Sequence, residues 1–349
     1  MKKILVTGSS GLVGSEAVEF FCKKKFHVIG IDNNYRKKLF GISGDTRLNC
    51  LKLKKKFKNF THINKDIRKY NDLKNIFKKN KFYAIIHAAA QPSHDWAASK
   101  PFVDFSINAV GTLNLLELTR QFNSKSIFVY VSTNKVYGDT PNKIRLIEKK
   151  LRWEANAGNK YFRGINELMS IDNTLHSLFG VSKCSADLMV QEYAKNFKIK
   201  TGIFRAGCIT GPNHAGAKLH GFLNYLVKSV IQNKKYTIFG YKGKQVRDNI
   251  HSYDLINCFW EFIKKPTPGE VFNIGGGRSN SCSIIEAIKL IEKKTGKKLN
   301  YSLSGQNRTG DHIWYITDNS KFQKKYNRWK IKYSLDSIID QIISNFKQN

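Results

Sequence analysis

The stretch Lys3-Ile4-Leu5-Val6-Thr7-Gly8-Ser9-Ser10-Gly11-Leu12-Val13-Gly14 opens the chain and decides its fold. The apolar run at residues 3–7 predicts a buried strand, and a helix-compatible stretch follows the glycines. We expect Gly8 to adopt a backbone conformation that other residues avoid, Gly11 to leave room for a phosphate, and Gly14 to let helix and strand pack closely. The free amides at the start of the helix would then face an anion. This order predicts a dinucleotide pyrophosphate site.

A carboxylate after the second apolar run strengthens that prediction. The run at residues 27–31 ends in Asp32, at the spacing at which an acidic side chain reaches the adenosine ribose. Repulsion between Asp32 and a ribose phosphate favours NAD over NADP, although Arg36 and Lys37 keep NADP open. We therefore expect NAD as the cofactor.

The order of apolar runs predicts an α/β fold. Buried strands separated by helix-length segments are expected at residues 3–7, 27–31, 83–87, 127–131 and 201–205. Such alternation gives a doubly wound parallel sheet of the Rossmann type with helices on both faces. Helical spacing is clearest at 102–122 and 173–197. We expect an NAD-binding domain at 1–205 and a smaller substrate lobe at 206–349, from which some elements return to the first domain.

The second half of the chain has a looser pattern. It predicts a short strand near 236–239 and helices at residues 219–232, 253–264, 281–294 and 334–346. The segment 140–172 is polar, aromatic and irregular, and a loop of that length inside a compact domain is usually functional.

Composition narrows the function classes. The formal net charge is +34, but only 12 of the 60 basic residues are Arg, and the Lys residues are spread along the chain. Because bidentate phosphate and base recognition favours Arg, we expect solvated basic faces that attract acidic ligands, and nucleic-acid binding is disfavoured. The six cysteines lack the spacing of a zinc site or a disulfide framework, so we expect no metal and a reducing, cytoplasmic compartment. No apolar stretch has the length of a membrane span.

Four motifs together resemble the extended short-chain dehydrogenase/reductase superfamily over essentially the full chain. They are the opening glycines, Asp66-Ile67, His87-Ala88-Ala89-Ala90, and Val131-Ser132-Thr133-Asn134-Lys135-Val136-Tyr137-Gly138 followed by a helix with Ser182-Lys183. The resemblance implies that Thr133 hydrogen-bonds the reacting sugar oxygen, Lys183 holds the nicotinamide ribose and Asn108 supports the end of the sheet. It also implies a homodimer, or a dimer-based oligomer, that pairs through helices 102–122 and 173–197.

The cofactor contacts expected from the glycine turn and from the resemblance form one set. Its members are Gly8, Gly11, Leu12, Val13, Gly14, Asp32, Asn33, Asp66, Ile67, Ala88, Ala89, Ala90, Gln91, Asn108, Ser132, Lys183 and Ala206.

Within that superfamily the chain resembles the CDP-paratose 2-epimerase group. The resemblance rests on four stretches of sequence. They are Ser132-Thr133-Asn134-Lys135-Val136-Tyr137-Gly138-Asp139, Gly111-Thr112-Leu113-Asn114-Leu115-Leu116-Glu117, Gly243-Lys244-Gln245-Val246-Arg247-Asp248 and Gly310-Asp311-His312-Ile313-Trp314-Tyr315. It implies NAD-dependent inversion at carbon 2 of a CDP-linked deoxyhexose, by transient oxidation to a ketone and return of the hydride. Asn134 and Lys135 stand where related dehydratases carry Asp-Glu, which disfavours dehydration. A one-way dehydrogenase stays open, as does a non-catalytic NAD-binding regulator that contacts RNA.

One position departs from the superfamily pattern. The active helix there carries Tyr-x-x-x-Lys, whereas this chain has Phe179 four residues before Lys183. A benzene ring cannot take a proton, so another group is the base, the chain is impaired, or the reaction differs. His176, expected on the same helical face, is the first candidate, against a purely hydrogen-bonded role. The other candidates are a Lys183 with a lowered pKa, Tyr137, Tyr161, Glu167 and Asp172.

Substrate contacts are expected from both halves of the chain. Arg247 and Arg308 are candidates to grip the diphosphate of a nucleotide-sugar substrate, against the alternative that each forms an ion pair with a nearby Asp. Thr133 and Asn134 are expected at the sugar. The triplet Gly275-Gly276-Gly277 lacks a following Lys-Ser or Lys-Thr pair and is interpreted as a loop.

Overall fold

The structure is a computed structural model that describes residues 1–214, 221–306 and 310–348. Its strands are β1 (Lys3–Thr7), β2 (His27–Ile31), β3 (Phe60–Ile63), β4 (Phe82–His87), β5 (Ile127–Thr133), β6 (Leu146–Glu148), β7 (Trp153–Ala155), β8 (Lys200–Ala206), β9 (Cys208–Thr210), β10 (Tyr236–Phe239), β11 (Val246–His251), β12 (Glu270–Ile274), β13 (Ser281–Ser283), β14 (Tyr301–Ser304) and β15 (Trp314–Tyr315). Its α-helices are α1 (Leu12–Lys23), α2 (Tyr35–Phe40), α3 (Arg47–Lys56), α4 (Tyr70–Lys79), α5 (His94–Ser99), α6 (Pro101–Phe105), α7 (Gly111–Phe122), α8 (Leu178–Phe197), α9 (Phe222–Ile231), α10 (Ser252–Lys264), α11 (Ile284–Thr295), α12 (Ser320–Lys325) and α13 (Leu335–Gln348).

The described chain forms two compact units, and the first contains Met1–Val136, Leu178–Arg205 and Ile256–Phe272. It is built on a seven-stranded sheet with the order β12-β8-β5-β4-β1-β2-β3. β1 pairs in parallel with β2 and β4, β2 pairs in parallel with β3, and β4 pairs in parallel with β5. This is the predicted doubly wound, Rossmann-type α/β fold. The sequence did not indicate β3, because this short edge strand alternates a buried Phe60 with more exposed polar residues instead of forming an apolar run.

The core of the first unit explains the helical spacing of the sequence. α4, α7 and α8 each turn an apolar stripe toward the sheet, and the buried strand residues meet those stripes. The fully buried members of this cluster from the sheet and the three helices are Leu5, Ile85, Phe128, Tyr130, Ile203, Leu73, Phe77, Leu115, Leu116, Leu118, Ala186 and Val190. Burial of side chains of this size contributes about 1.5–3 kcal/mol each before the loss of chain entropy is counted.

The predicted helix 102–122 is continuous in space but not uniform. α6 and α7 are joined by a π-helical turn over Ser106–Val110. Such a turn inserts an extra residue into the helix and often occurs at functional sites. Here it lies at Asn108, whose side chain becomes part of the site described below.

The predicted helix 173–197 begins too early, because α8 starts at Leu178. Asn173 has a left-handed backbone (φ 51°), and Thr174 and Leu175 are bonded to Asp139 through a 2.6 Å side-chain contact and a 3.1 Å backbone N–H bond. These local hydrogen bonds replace the helical ones. The expectation that His176 shares a helical face with Phe179 was therefore wrong.

The second unit contains Tyr137–Ser177, Ala206–Leu255 and Asn273–Asn349. Thus the irregular segment after β5 belongs to this unit, whereas Ile256–Phe272 returns to the first. β11 is paired with β13, β15 and β9, β10 pairs with β14, and β6 and β7 form an antiparallel pair inside the irregular segment. α9, α11 and α13 enclose the apolar core of this unit. α11 is limited by a capping box between Ser283 and Glu286 and by Gly296, which follows its last turn in a left-handed conformation.

The glycine turn yields a matched pair of variants. A Cβ on Gly14 would overlap the Gly8 carbonyl oxygen, whereas a Cβ on Gly11 would meet that oxygen only at 3.4 Å. Gly14→Ala should therefore lower the free energy of unfolding by about 3 kcal/mol, and Gly11→Ala by less than about 1 kcal/mol. Urea unfolding followed by circular dichroism measures both. Equal losses in the two variants would contradict the close helix–strand packing.

Candidate active site

The turn between β1 and α1 has the geometry of an anion site. Gly8 has a left-handed backbone (φ 68°) and its N–H donates to the Ile31 carbonyl at 2.8 Å, which fixes the turn against the end of β2. Gly11 precedes α1 in an extended conformation (φ −71°, ψ 176°). Because Gly11 offers no side-chain cap, the first amides of α1 are left for an external acceptor.

Asp32 is held by the same turn. Its Oδ2 accepts the Ser10 N–H at 2.9 Å, and its Oδ1 accepts the Asn34 N–H at 2.7 Å. The carboxylate is thus oriented beside the glycine turn. Of the two cations that kept NADP open, Lys37 forms a 3.5 Å ion pair with Asp45, and the Arg36 guanidinium lies 4.8 Å from the Phe40 ring centre.

Asn33, Asp66 and Ile67 lie together after β2 and β3. Asn33 Nδ2 donates to Asp66 Oδ2 at 3.2 Å, and Arg68 forms a 2.6 Å ion pair with the same carboxylate. Ile67 is buried, and its side chain occupies the space that a Cβ on Gly111 would need. The predicted adenine-side residues are therefore adjacent to one another.

A buried polar network organises the loop after β4. Asn108, at the π-helical turn, accepts the Gln91 N–H at 2.9 Å and donates to the Gln91 carbonyl at 3.0 Å. Its amide also donates to Asp104 at 3.0 Å and to Ser182 on α8 at 3.0 Å. Gln91 in turn donates to Asp104 at 2.7 Å. One amide side chain thus fixes the loop that contains Ala88, Ala89 and Ala90 and ties it to α8.

His87 ends β4 as a neutral structural residue. Its ring nitrogens lie 2.7 Å from Thr7 Oγ1 and 2.9 Å from Thr112 Oγ1. Burial, and secondarily the charge of Lys183, lower the pKa of His87 to about 3. This imidazole therefore stays uncharged in the neutral pH range.

The carboxyl end of β5 provides Ser132, Thr133 and Asn134. The Ser132 hydroxyl donates to Asp187 of α8 at 2.5 Å, and Asp187 also forms a buried 2.9 Å ion pair with Arg205. Ser132 is thus used to join β5 to α8. Thr133 is partly exposed, and its hydroxyl donates to Asn134 Oδ1 at 3.4 Å.

Lys183 presents a buried amine without an acidic partner. Its Nζ donates to the Val131 carbonyl at 2.8 Å and lies 4.3 Å from the centre of the Tyr130 ring. No ion pair involves it within the described residues. Burial lowers the pKa of Lys183 to about 7, against the weaker opposing effects of Asp187 and Asp104.

Phe179 occupies the turn of α8 that precedes Lys183 and is 7% exposed. The ring of His94, the first residue of α5, lies edge-on against it, with 5.0 Å between ring centres and 66° between planes. His94 could not be found from the sequence, because no local motif connects it with a residue 85 positions later.

The structure places His176 in a loop of the second unit. Its Nε2 lies 2.9 Å from the Ile171 carbonyl, and its Nδ1 is buried without a hydrogen-bond partner among the described residues. A carbonyl only accepts, so Nε2 carries the proton and Nδ1 is the basic nitrogen. That nitrogen packs against Gly138, at 3.1 Å from the position of a Cβ there. His176 thus fills a loop interior.

The other base candidates of the second unit are also engaged. Tyr137 donates its hydroxyl to Asn273 at 2.7 Å, and Glu167 accepts the Asn273 N–H at 2.7 Å. Burial raises the pKa of Glu167, against the weaker effect of that hydrogen bond. Tyr161 and Asp172 lie in the irregular segment, where their backbone N–H groups form local turns.

On the substrate side, Arg247 of β11 is paired with Asp311 and also donates to the Val246 carbonyl at 2.7 Å. This ion pair with Asp311 orients its guanidinium. Arg308 lies outside the described residues. Gly275 and Gly277 donate backbone N–H bonds to Asn319 and Asp248, so the glycine triplet is a tightly packed loop, as interpreted from the sequence.

Two other features are absent from the described ranges, a metal site and a membrane-spanning helix. No group of His, Cys, Asp or Glu there has the arrangement of a metal site. No helix there combines the length and apolar character needed to cross a membrane.

Comparison with known proteins agrees with this geometry. Residues 4–275 match the NAD dependent epimerase/dehydratase family. The CDP-paratose 2-epimerase of Salmonella typhi is 34% identical over 298 residues, which cover 83% of each chain. The UDP-glucuronate 4-epimerase of Thermodesulfobacterium geofontis is 28% identical over 99% of this chain and 96% of its own.

A solved structure supports the same conclusion. The UDP-glucuronic acid 4-epimerase from Bacillus cereus, crystallised in complex with UDP-glucuronic acid and NAD, has a TM-score of 0.79 to this chain. It is 26% identical, and 99% of each chain is covered. The resemblance to extended short-chain dehydrogenases/reductases is thereby confirmed, and the chain belongs to the NAD dependent epimerase/dehydratase family.

Proposed function

We propose that this protein is an NAD-dependent nucleotide-sugar epimerase that inverts carbon 2 of a CDP-linked deoxyhexose of the CDP-paratose type. Membership of the NAD dependent epimerase/dehydratase family supports NAD-dependent nucleotide-sugar chemistry. The 34% sequence identity to a CDP-paratose 2-epimerase supports the choice of substrate. The observation that carries the proposal is the end of β5. There the buried amide of Asn134 lies next to Thr133, so this position offers a hydrogen bond to the sugar but no acid to expel a hydroxyl.

The residues of the first unit fit NAD. The glycine turn and the amide end of α1 would hold the pyrophosphate, and Asp32 would accept hydrogen bonds from the adenosine ribose. Bound NAD supplies a hydride acceptor that later returns the hydride to the sugar. The open space at Gly11, where a Cβ would meet only one atom within 4 Å, is the room that a phosphate requires.

Lys183 and Thr133 have complementary roles in this proposal. Thr133 offers a partly exposed hydroxyl at the carboxyl end of β5. The Lys183 amine donates a hydrogen bond to the carbonyl of Val131, which lies two residues before Thr133 on β5. It would hold the nicotinamide ribose by hydrogen bonding, as expected for a lysine one turn after the position of the usual tyrosine.

Arg247 would contact the diphosphate of the substrate. Its guanidinium is already oriented by the Val246 carbonyl and by Asp311, and an oriented guanidinium loses little freedom when it binds a phosphate. The net charge of +34 favours approach of such an acidic ligand at low salt.

Phe179 favours a second candidate function. A chain that binds NAD but lacks the phenol is suited to act as a non-catalytic sensor of the cofactor. This candidate predicts NAD binding without oxidation of any nucleotide sugar, which distinguishes it from the epimerase.

The first unit also carries an apolar face suited to a homodimer. Phe102 of α6 is 90% exposed, and Leu113 of α7, Val181 and Leu188 of α8 are each exposed by more than a third. These helices pack against each other within the unit. We propose that the same face of a second copy covers them, as expected from the sequence.

Incubation of the purified protein with CDP-paratose in deuterated water tests the epimerase proposal. Proton NMR should show an equilibrium of the two carbon-2 epimers with no solvent deuterium at carbon 2, because the hydride returns from the cofactor. A dTDP-glucose sample serves as the control and should show no dehydration product. Absence of exchange between the CDP-linked epimers, with NAD bound, would favour the sensor.

Lys183→Met should raise the free energy of unfolding of the NAD-free protein. The folded-state pKa near 7 lies below the ordinary value of 10.5, so the folded chain binds fewer protons between these pH values and wild-type stability increases across that window. The variant lacks this cost, so its gain should be largest below pH 7, on the order of 5 kcal/mol, and shrink toward pH 10.

Urea unfolding at several pH values measures that gain. Lys195→Met, which removes an exposed lysine of the same helix, is the matched control and should change stability by less than about 1 kcal/mol. If the gain in unfolding free energy of Lys183→Met does not depend on pH, the conclusion that Lys183 is a buried amine without an acidic partner is wrong.

Val181→Glu combined with Leu188→Glu should convert the protein from dimer to monomer, because the added carboxylates would be buried without partners. Light scattering coupled to gel filtration measures the mass. Leu303→Glu, at a 58% exposed residue of β14, is the control and should remain dimeric. A monomeric wild type would overturn the proposed dimer.

A further inference from the structure

His94 is the titratable side chain that contacts the ring at the place of the missing phenol. Its ring lies 5.0 Å from that of Phe179, edge-on. Phe179 is buried, whereas His94 is partly exposed, so the imidazole is the more accessible member of this pair. An imidazole is the side chain that most often acts as a general base in enzymes.

The backbone of His94 is held by the network that also fixes α8. Ser93 donates its N–H to the Gln91 side chain, and its hydroxyl caps α5 by accepting the Trp96 N–H at 3.3 Å. Asn108 bonds both Gln91 and Ser182, the neighbour of Lys183. The positions of His94 and of the Phe179–Lys183 turn are therefore set by one buried amide, and not by a mobile loop.

The same edge of the sheet brings Thr133 into this arrangement. β4 and β5 are paired in parallel, with His87 opposite Tyr130. α5 follows the carboxyl end of β4, and Thr133 is the carboxyl end of β5. His94, Thr133 and Lys183 thus come from three adjacent elements of one unit.

Two of the alternative bases, Lys183 and His176, are less accessible. The Lys183 amine is 4% exposed and anchored to the Val131 carbonyl. The basic nitrogen of His176 is sealed inside its loop.

We propose that the His94 imidazole is the general base of the reaction, in place of the tyrosine that Phe179 replaces. This inference rests on the proposed function. The sugar O–H bond breaks and its proton passes to a ring nitrogen of His94. The carbon–oxygen double bond forms at the same time, and the hydride leaves carbon for the acceptor that bound NAD would supply. When the hydride returns to the other face of the ketone, the imidazolium gives the same proton back to oxygen. No proton or electron is lost in the cycle.

His94→Gln should lower the rate of sugar oxidation by at least about 100-fold, because glutamine keeps hydrogen-bonding groups but cannot take the proton. NAD affinity, measured by calorimetry, should stay within about twofold, since His94 is not among the proposed cofactor contacts. Transient absorbance of reduced nicotinamide in single turnovers measures the oxidation step separately from overall epimerisation.

Rescue distinguishes a base from a positioning residue. His94→Ala should recover at least tenfold when free imidazole is added, and the double variant His94→Ala, Phe179→Tyr should exceed His94→Ala by a similar factor because the phenol is restored. Imidazole should have no such effect on His94→Gln, in which the space is filled.

The outcomes separate this inference from the proposed function. Activity of His94→Gln within about threefold of wild type overturns the role of His94 and leaves the epimerase intact. Failure with CDP-paratose but oxidation of another nucleotide sugar overturns the substrate assignment, and the His94 variants are then compared on that sugar. A wild type that oxidises no nucleotide sugar overturns both.

Discussion

The hydrogen bonds of Asn108 are the constraint on which the proposed site depends. This buried amide bonds the Gln91 backbone on one side and Ser182 on the other, so the loop after β4 and the helix α8 are held at a fixed separation. The π-helical turn over Ser106–Val110 places Asn108 where it reaches both. Because a buried amide left without partners costs several kcal/mol, the network permits few alternative arrangements. The positions of Phe179, Lys183 and His94 follow from it.

The charge distribution around α8 sets the electrostatic surroundings of Lys183 in the proposed site, which lacks the usual phenol. Asp187 is satisfied by Ser132 and Arg205, and Asp104 by Gln91 and Asn108. No carboxylate is therefore left to form an ion pair with Lys183 among the described residues, and burial favours its neutral form. In the proposed reaction, the Lys183 amine, the Thr133 hydroxyl and the His94 imidazole would support reversible proton transfer from a sugar hydroxyl. The proposed site would thus keep hydrogen-bonding surroundings for that transfer although the usual tyrosine is replaced by Phe179.

Much of the fold could be predicted from the sequence because it is encoded locally. The five predicted strands of the sheet lie within about two residues of their observed bounds, since each contains a short run of mainly apolar residues that the sheet buries. The glycine turn was likewise predictable, because Gly8 and Gly14 meet steric demands set by immediate neighbours. The short edge strand β3 and the start of α8 were not, because one has no apolar run and the other is decided by Asp139, far away in the sequence.

The site was only partly predictable for the same reason. The spacing of Phe179 and Lys183 is a local feature, and it showed that a base was missing. The proposal of His94 as the replacement base depends on its contact with Phe179. That contact joins two helices whose contacting residues are 85 positions apart, and no sequence motif indicates it. The helical periodicity pointed instead to His176, which the Asp139–Thr174 contacts remove from the helix.

The most direct test of the account is the transfer of label from the sugar to the cofactor. CDP-paratose deuterated at carbon 2 is mixed with NAD-loaded protein, the protein is denatured within one turnover, and the released nicotinamide is analysed by mass spectrometry. Transient oxidation predicts deuterium in the reduced cofactor during turnover and in the sugar product at its end. Formation of the epimer with an unlabelled cofactor and loss of deuterium to water would contradict it.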